Sequence, residues 1–233
     1  MEKKQPIVTN LAPLERGLKP RIVAVVDSLV PIADLNGLKR KGIDLLEIRV
    51  DLIDTALGSL VGYLRDIEAQ VRLPLIGTVR ESAKTAPLRP LIFRTIMPLI
   101  QGVDIELGCA IMAEVIREAH GLGKTVIVSE HDFEKTPDEA ALQSIVDRAM
   151  AGGADIVKIA TMARTEDDAV RLLKFTKACP VPIAAFAMGE RGAFSRVIAG
   201  EYGSLFTYGY ISTAVAPGQL SAVELVKKIK EVP

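Results

Sequence analysis

The chain has 233 residues, 49% of them hydrophobic, with 29 Lys and Arg against 29 Asp and Glu. That balance argues against holding nucleic acid or a membrane surface by bulk charge, so any selectivity has to come from local charge. No stretch approaches the roughly 18 uninterrupted apolar residues of a membrane span, and Cys109 and Cys179, in helix-like segments without metal-ligand spacing, read as buried free thiols of a reducing compartment. No Ser/Pro/Gly-rich linker or like-charge block divides the sequence, so one domain over 1–233 is expected. The charged start, Met1-Glu-Lys-Lys-Gln-Pro6, leads into no sustained apolar stretch, and the expectation is a soluble, cytoplasmic protein.

Short apolar runs rich in Val and Ile recur at 21–26, 44–50, 74–79, 103–107, 124–129, 154–160, 182–188 and 204–208, each followed by a segment with helical spacing. Thr136-Pro-Asp-Glu139 reads as a capping box with proline at the first helical position, ahead of Leu142, Ile145, Val146 and Ala149 and closing at Gly152-Gly153. Thr165-Glu-Asp-Asp168 reads as a second helix start. Leu220, Val223, Val226 and Ile229 mark the apolar face of a final helix. Continuous apolar strands alternating with helices predict a parallel sheet buried on both faces, and eight such units fit an α/β (β/α)8 TIM barrel. A doubly wound open sheet is the alternative, but no Gly-x-Gly-x-x-Gly turn or Walker-type loop supports it.

Strand parity then sorts the polar residues. Glu47, Arg49 and Asp51 project opposite to Leu46, Ile48 and Val50, which belong under the helices, so Glu47 and Arg49 face the barrel interior near its C-terminal mouth. The same rule sends Thr78 and Arg80 inward, and Lys158 inward from Asp155-Ile-Val-Lys-Ile-Ala160. His131 lies just past the fifth run, as a strand-end group. A lysine inside an apolar strand is either paired or employed, because an unpaired buried ammonium is costly. Burial beside Arg49 and Arg80 is expected to disfavour its protonated form, which makes an amine able to form a Schiff base with a ketone or aldehyde. With Arg49, Arg80 and Lys158 against Glu47, the mouth is expected to be net positive and its ligand an anionic small molecule. His120, in the last turn of a helix before Gly121, is explained by the helix dipole. One histidine without a nearby thiol makes no zinc site. Arg196, in Met188-Gly-Glu-Arg-Gly-Ala-Phe-Ser-Arg196, stands where late loops of this fold hold anions, and Gln219 follows the last strand in Ala216-Pro-Gly-Gln219, where it either meets a ligand or opens the final helix.

Taken in order, Glu47-Ile-Arg-Val-Asp51, Thr78-Val-Arg80, Asp104-Ile-Glu-Leu107, Ser129-Glu-His-Asp-Phe133, Asp155-Ile-Val-Lys-Ile-Ala160, Met188-Gly through Ser195-Arg196, Gly203-Ser204 and Ala216-Pro-Gly-Gln219 resemble type I 3-dehydroquinate dehydratase, the Schiff-base dehydratase of the shikimate pathway. The resemblance implies a (β/α)8 barrel, usually a homodimer, that uses no metal or organic cofactor and converts 3-dehydroquinate to 3-dehydroshikimate by syn elimination of water. It implies Lys158 as the imine-forming lysine and His131 as general acid/base. Arg196 would hold the substrate carboxylate with help from Gln219, Glu47, Arg49 and Arg80 would contact ring hydroxyls, and Phe133, Phe186 and Met188 would line the pocket. Two positions depart from the family pattern. Lys84 stands where a glutamate orienting the histidine is usual, with Glu81 or Glu130 as candidate substitutes, and Val215 stands where a serine is usual in the covering loop. These departures keep a non-catalytic binder of a quinate-like acid as an alternative, beside another Schiff-base barrel such as an aldolase.

Overall fold

The computed structural model describes Leu11 and residues 19–232; the charged start of the chain lies outside the described residues. Eight strands, β1 (Arg21–Val26), β2 (Leu45–Arg49), β3 (Leu75–Thr78), β4 (Gly102–Glu106), β5 (Thr125–Asp132), β6 (Ile156–Met162), β7 (Ile183–Met188) and β8 (Phe206–Tyr210), lie in the order β7-β6-β5-β4-β3-β2-β1-β8. The paired neighbours are all parallel, from β1 with β8 round to β6 with β7. Between the strands run α1 (Ile32–Leu35), α2 (Leu57–Gln70), α3 (Arg89–Ile96), α4 (Met112–Gly121), α5 (Glu139–Ala151), α6 (Glu166–Ala178), α7 (Ala193–Ile198) and, last, α8 (Ala222–Glu231). This is the (β/α)8 barrel that the sequence predicts.

Parity along the strands builds two apolar layers. Ile22, Ala24, Leu46, Ile48, Val157 and Ile159 pack outward beneath the helices, while Val23, Val25, Leu45, Ile76, Ile127 and Ile156 fill the barrel interior. Each strand that contributes to both layers does so by the two-residue repeat, which sends alternate side chains to opposite faces. Leu11 is fully buried in the inner layer, and a Cβ on Gly102 would meet its Cδ1 at 3.1 Å, so the first residue of β4 has to be small for that leucine to seat.

Several local expectations change. The start of α5 is capped by Asp138, whose side chain accepts from the Ala141 N–H at 2.8 Å, whereas Thr136 is buried against β6 and bonds Thr161 Oγ1 and the Met162 carbonyl, each at 2.9 Å. The carboxylate one residue from the helix wins the cap, and the threonine ties the β5–α5 loop to the next strand. Thr165 does form a capping box with Asp168 at the start of α6. In α8 the inward residues are Ala222, Leu225, Val226 and Ile229, Val223 is exposed, and Ser221 rather than Gln219 is the N-cap. Cys109 lies in the loop after β4 and is half-buried, not helical, while Cys179 is buried at the end of α6. His120 has a specific partner beyond the dipole, Asp155 Oδ2 at 3.1 Å.

Candidate active site

A cavity of about 400 Å³ opens at the C-terminal ends of the strands. All ten residues singled out from the sequence line it: Glu47, Arg49, Arg80, His131, Phe133, Lys158, Phe186, Met188, Arg196 and Gln219. They arrive from four strands, β2, β5, β6 and β7, from the extensions of β3 and β5, from helix α7 and from the loop before α8. This convergence at the top of a parallel barrel is where catalytic groups of the fold gather, because each strand end delivers one inward side chain.

Lys158 projects inward from β6 and is 4% exposed. Its Nζ donates to Glu47 Oε1 at 3.0 Å and to Asp104 Oδ2 at 2.9 Å, and it sits 4.0 Å from the centroid of the Tyr208 ring. The amine therefore faces two carboxylates rather than the cationic surround expected from the sequence. The carboxylates are themselves held: Thr78 Oγ1 donates to Glu47 at 2.9 Å, and Ser129 Oγ donates to Asp104 Oδ1 at 2.6 Å. Arg80 reaches Asp104 at 2.9 Å and Ser129 Oγ at 2.8 Å. Burial by itself would raise the Asp104 carboxyl, but Arg80 and Lys158 beside it hold it well below the usual carboxylate range. The lattice continues outward, with Arg89 of α3 fully buried and paired to both Glu81 and Glu106. Arg49 pairs with Asp51 through two contacts, at 3.0 and 2.7 Å, and not with Glu47.

His131 lies within β5, which runs on to Asp132, in register with Ala160. Burial, then the positive charges of Arg80 and Lys158, push its imidazole well below the ordinary histidine value, against the opposing pull of Asp104. At neutral pH it is a neutral base. Phe133 is exposed, yet its ring stacks on the imidazole with centroids 6.2 Å apart and planes at 15°. Lys84 does not enter the cavity; it is exposed and paired with Asp54 at 2.7 Å. It therefore places no charge on the histidine. Neither proposed substitute stands in for the glutamate: Glu81 is taken by Arg89, and the charges acting on Glu130 are those of Arg148 and Asp132.

The opposite wall is built by an interrupted sheet. Among the described residues β7 and β8 share no ladder; one backbone bond, Leu205 N–H to the Ile183 carbonyl at 2.8 Å, closes the seam near its base. Above it, serine hydroxyls replace the missing carbonyls, Ser204 accepting from Ala185 N–H at 3.0 Å and Ser195 from Ala187 N–H at 2.8 Å. Satisfying those buried donors from side chains lets α7 stand in the gap. Arg196 is thereby 1% exposed on the cavity wall, not on a helix surface. Its guanidinium lies 4.4 Å from the Phe186 ring centroid, Nη1 donates to the Tyr208 carbonyl at 3.5 Å, and Nε and Nη2 have no partner among the described residues. Burial lowers this group to about 10, so it stays charged at neutral pH. Gln219 Oε1 accepts from the Val215 N–H at 2.9 Å and closes the covering loop, leaving the amide NH2 for a ligand. Gly218, at φ +68, passes so close to Gly189 that a Cβ would fall 2.4 Å from its carbonyl oxygen, which pins this loop over the end of β7.

Asp104, Ser129 and Tyr208 belong to the site although no role was assigned to them from the sequence. The signal that singled out Lys158, a polar group at an inward position of an apolar strand, applies equally to Asp104 in Gly102–Glu106.

The model of the type I 3-dehydroquinase family matches residues 23–231. The chain belongs to the type I 3-dehydroquinase family. Among curated relatives, it is 36% identical over 221 residues to a 3-dehydroquinate dehydratase of Methanococcoides burtonii, covering 91% of this chain and 94% of the relative. It is 36% identical over 242 residues to that of Methanosarcina acetivorans, covering 97% and 99%. Among solved structures, it is similar to the type I 3-dehydroquinate dehydratase of Clostridium difficile crystallised with covalently modified comenic acid, with a TM-score of 0.86, 27% identity and 98% of each chain covered. Of the two departures from the family pattern, Val215 lines the cavity and Lys84 does not, and the amine, imidazole and guanidinium share that cavity.

Proposed function

We propose that the protein is a 3-dehydroquinate dehydratase, a hydro-lyase of the shikimate pathway that acts through a Schiff base on Lys158. The observation that carries this reading is one cavity bounded by a buried amine, a neutral imidazole and a guanidinium with two unpartnered nitrogens. A keto acid meets all three demands: its carbonyl takes the amine, its carboxylate takes the guanidinium, and the imidazole is left for proton transfer.

In the proposed sequence Lys158 Nζ gives up a proton and adds to the ketone, and return of a proton to the carbinol oxygen lets it leave as water and gives an iminium. The iminium is positive as long as its nitrogen keeps its proton. Glu47 and Asp104, already at hydrogen-bond distance from that nitrogen, offset the charge in a water-poor site. The electron-withdrawing iminium acidifies the adjacent carbon, and neutral His131 removes that proton. The imidazolium so formed protonates the β-hydroxyl, which departs as water, and hydrolysis of the conjugated imine releases the enone and regenerates the amine. Arg196 and the Gln219 amide hold the carboxylate, Arg49 and Arg80 the ring hydroxyls, and Phe186 and Met188 the apolar wall. Assembly as a homodimer in the cytoplasm completes the reading.

Lys84 turns to Asp54, which removes the charge that motivated a non-catalytic reading. The test is a time course with 3-dehydroquinate read at the ultraviolet band of the conjugated enone, together with borohydride trapping of substrate on the protein. Turnover with a trapped adduct is the expected result; ligand-dependent thermal stabilisation without turnover would sink the proposal.

A further inference from the structure

Tyr208 projects from β8 into the barrel, lines the cavity and is 2% exposed. Its ring packs on Phe186 at 5.4 Å between centroids and edge-on to Phe206 at 6.5 Å and 83°. The hydroxyl is buried and has no hydrogen-bond partner among the described residues. A buried donor left unpaired is destabilising, and phenylalanine would supply the same ring with nothing to satisfy. The position therefore keeps a group that the free protein does not use.

What surrounds the ring indicates the use. The Lys158 amine lies 4.0 Å from the Tyr208 centroid, and the Arg196 guanidinium 4.4 Å from the centroid of neighbouring Phe186. Among the described residues, the buried polar atoms of the cavity wall that lack a partner are thus those of Arg196 and Tyr208, in the same cavity as the nitrogen that would carry the ligand. The nearest carboxylates, Glu47 and Asp104, are engaged by Lys158, Thr78, Ser129 and Arg80, and neither accepts from the phenol. Burial and those two carboxylates keep the phenol well above its ordinary value, so it remains an O–H donor across the neutral range.

Resting on the proposed function, we infer that Tyr208 is a further substrate-binding residue, its phenolic O–H donating a hydrogen bond to an oxygen of the ligand held at Lys158 Nζ while its ring face supports the positive nitrogen. The ring contributes through its quadrupole and the hydroxyl through its unused proton, so the two are separable.

Tyr208→Phe keeps the ring and removes the hydroxyl. With the wild type shown to turn over 3-dehydroquinate, the variant is expected to lose roughly three- to ten-fold in kcat/KM. Its Tm should be unchanged or higher, and its borohydride trapping intact. Wild-type kcat/KM in the variant would overturn the inference, and so would a lowered Tm, which would show that the hydroxyl serves the free protein. Absence of turnover in the wild type would sink the proposed function instead, and an active wild type with an unaffected variant would sink the inference about Tyr208 alone.

Discussion

The two walls of the cavity are built on opposite electrostatic plans. On the side formed by β2 to β6 the interior charges interlock, from Glu81 and Arg89 at the rim through Glu106, Arg80 and Asp104 to Lys158 and Glu47. On the side formed by β7, α7 and β8, Arg196 stands with an aromatic ring and a carbonyl but no carboxylate. A buried ion lattice is costly to assemble and costly to disturb, so it fixes the position of the amine. An uncompensated buried guanidinium does the reverse, and in the proposed function a carboxylate arriving beside it offsets the cost of burying that charge. The first wall is closed by its own ion pairs, and the second is, in the proposed function, completed by a ligand's carboxylate.

The strongest break in this comparison is Lys158→Ala. Turnover and the borohydride-reducible adduct should both vanish; an adduct that persists in the variant assigns the imine to another residue. Arg196→Ala acts on the other wall and should raise KM by about ten-fold or more with a smaller change in kcat, since it removes a charge-assisted contact to the bound acid. An unchanged KM contradicts the carboxylate assignment.

A gentler probe is pH. The folded-state value of His131 lies below its unfolded value of about 6.5, so its unfolded form binds the proton first and stability falls as pH drops below that value, by up to about 1.4 kcal/mol per pH unit for one group. Asp104, also depressed, contributes stability present above about 3.9 and lost only as pH falls further. Urea midpoints between pH 7 and 5 should therefore decline in the wild type and flatten in His131→Gln. Equal declines in both proteins would place the titration elsewhere. The smallest effect is expected from Lys84→Ala: both members of its ion pair with Asp54 are exposed, so kcat/KM should stay within about two-fold of wild type. A larger change would show that Lys84 visits the cavity.

Much of this was readable along the chain. The eight apolar runs locate all eight strands within a few residues, because a two-sided parallel sheet needs continuous Val and Ile. Inward parity of Glu47, Thr78, Arg80 and Lys158 follows from which neighbours are apolar. The partners of those side chains did not follow. Arg49 chooses Asp51, and Lys158 is enclosed by Glu47 and by Asp104, residues 111 and 54 positions away. Thr136 loses its cap to Asp138 because β6 offers it two oxygens. Arg196 is ambiguous in sequence, since a short helix carries arginine equally well on a surface.

The amino-acid order by itself determined the barrel, its layers and the inward set of ionisable groups, since local periodicity dictates each of them. Only the tertiary structure decided that carboxylates surround the amine, that Lys84 turns away and that Arg196 enters the gap between β7 and β8. Those outcomes depend on contacts between distant strands and on which buried polar group finds a partner first, and no spacing along the chain encodes that competition.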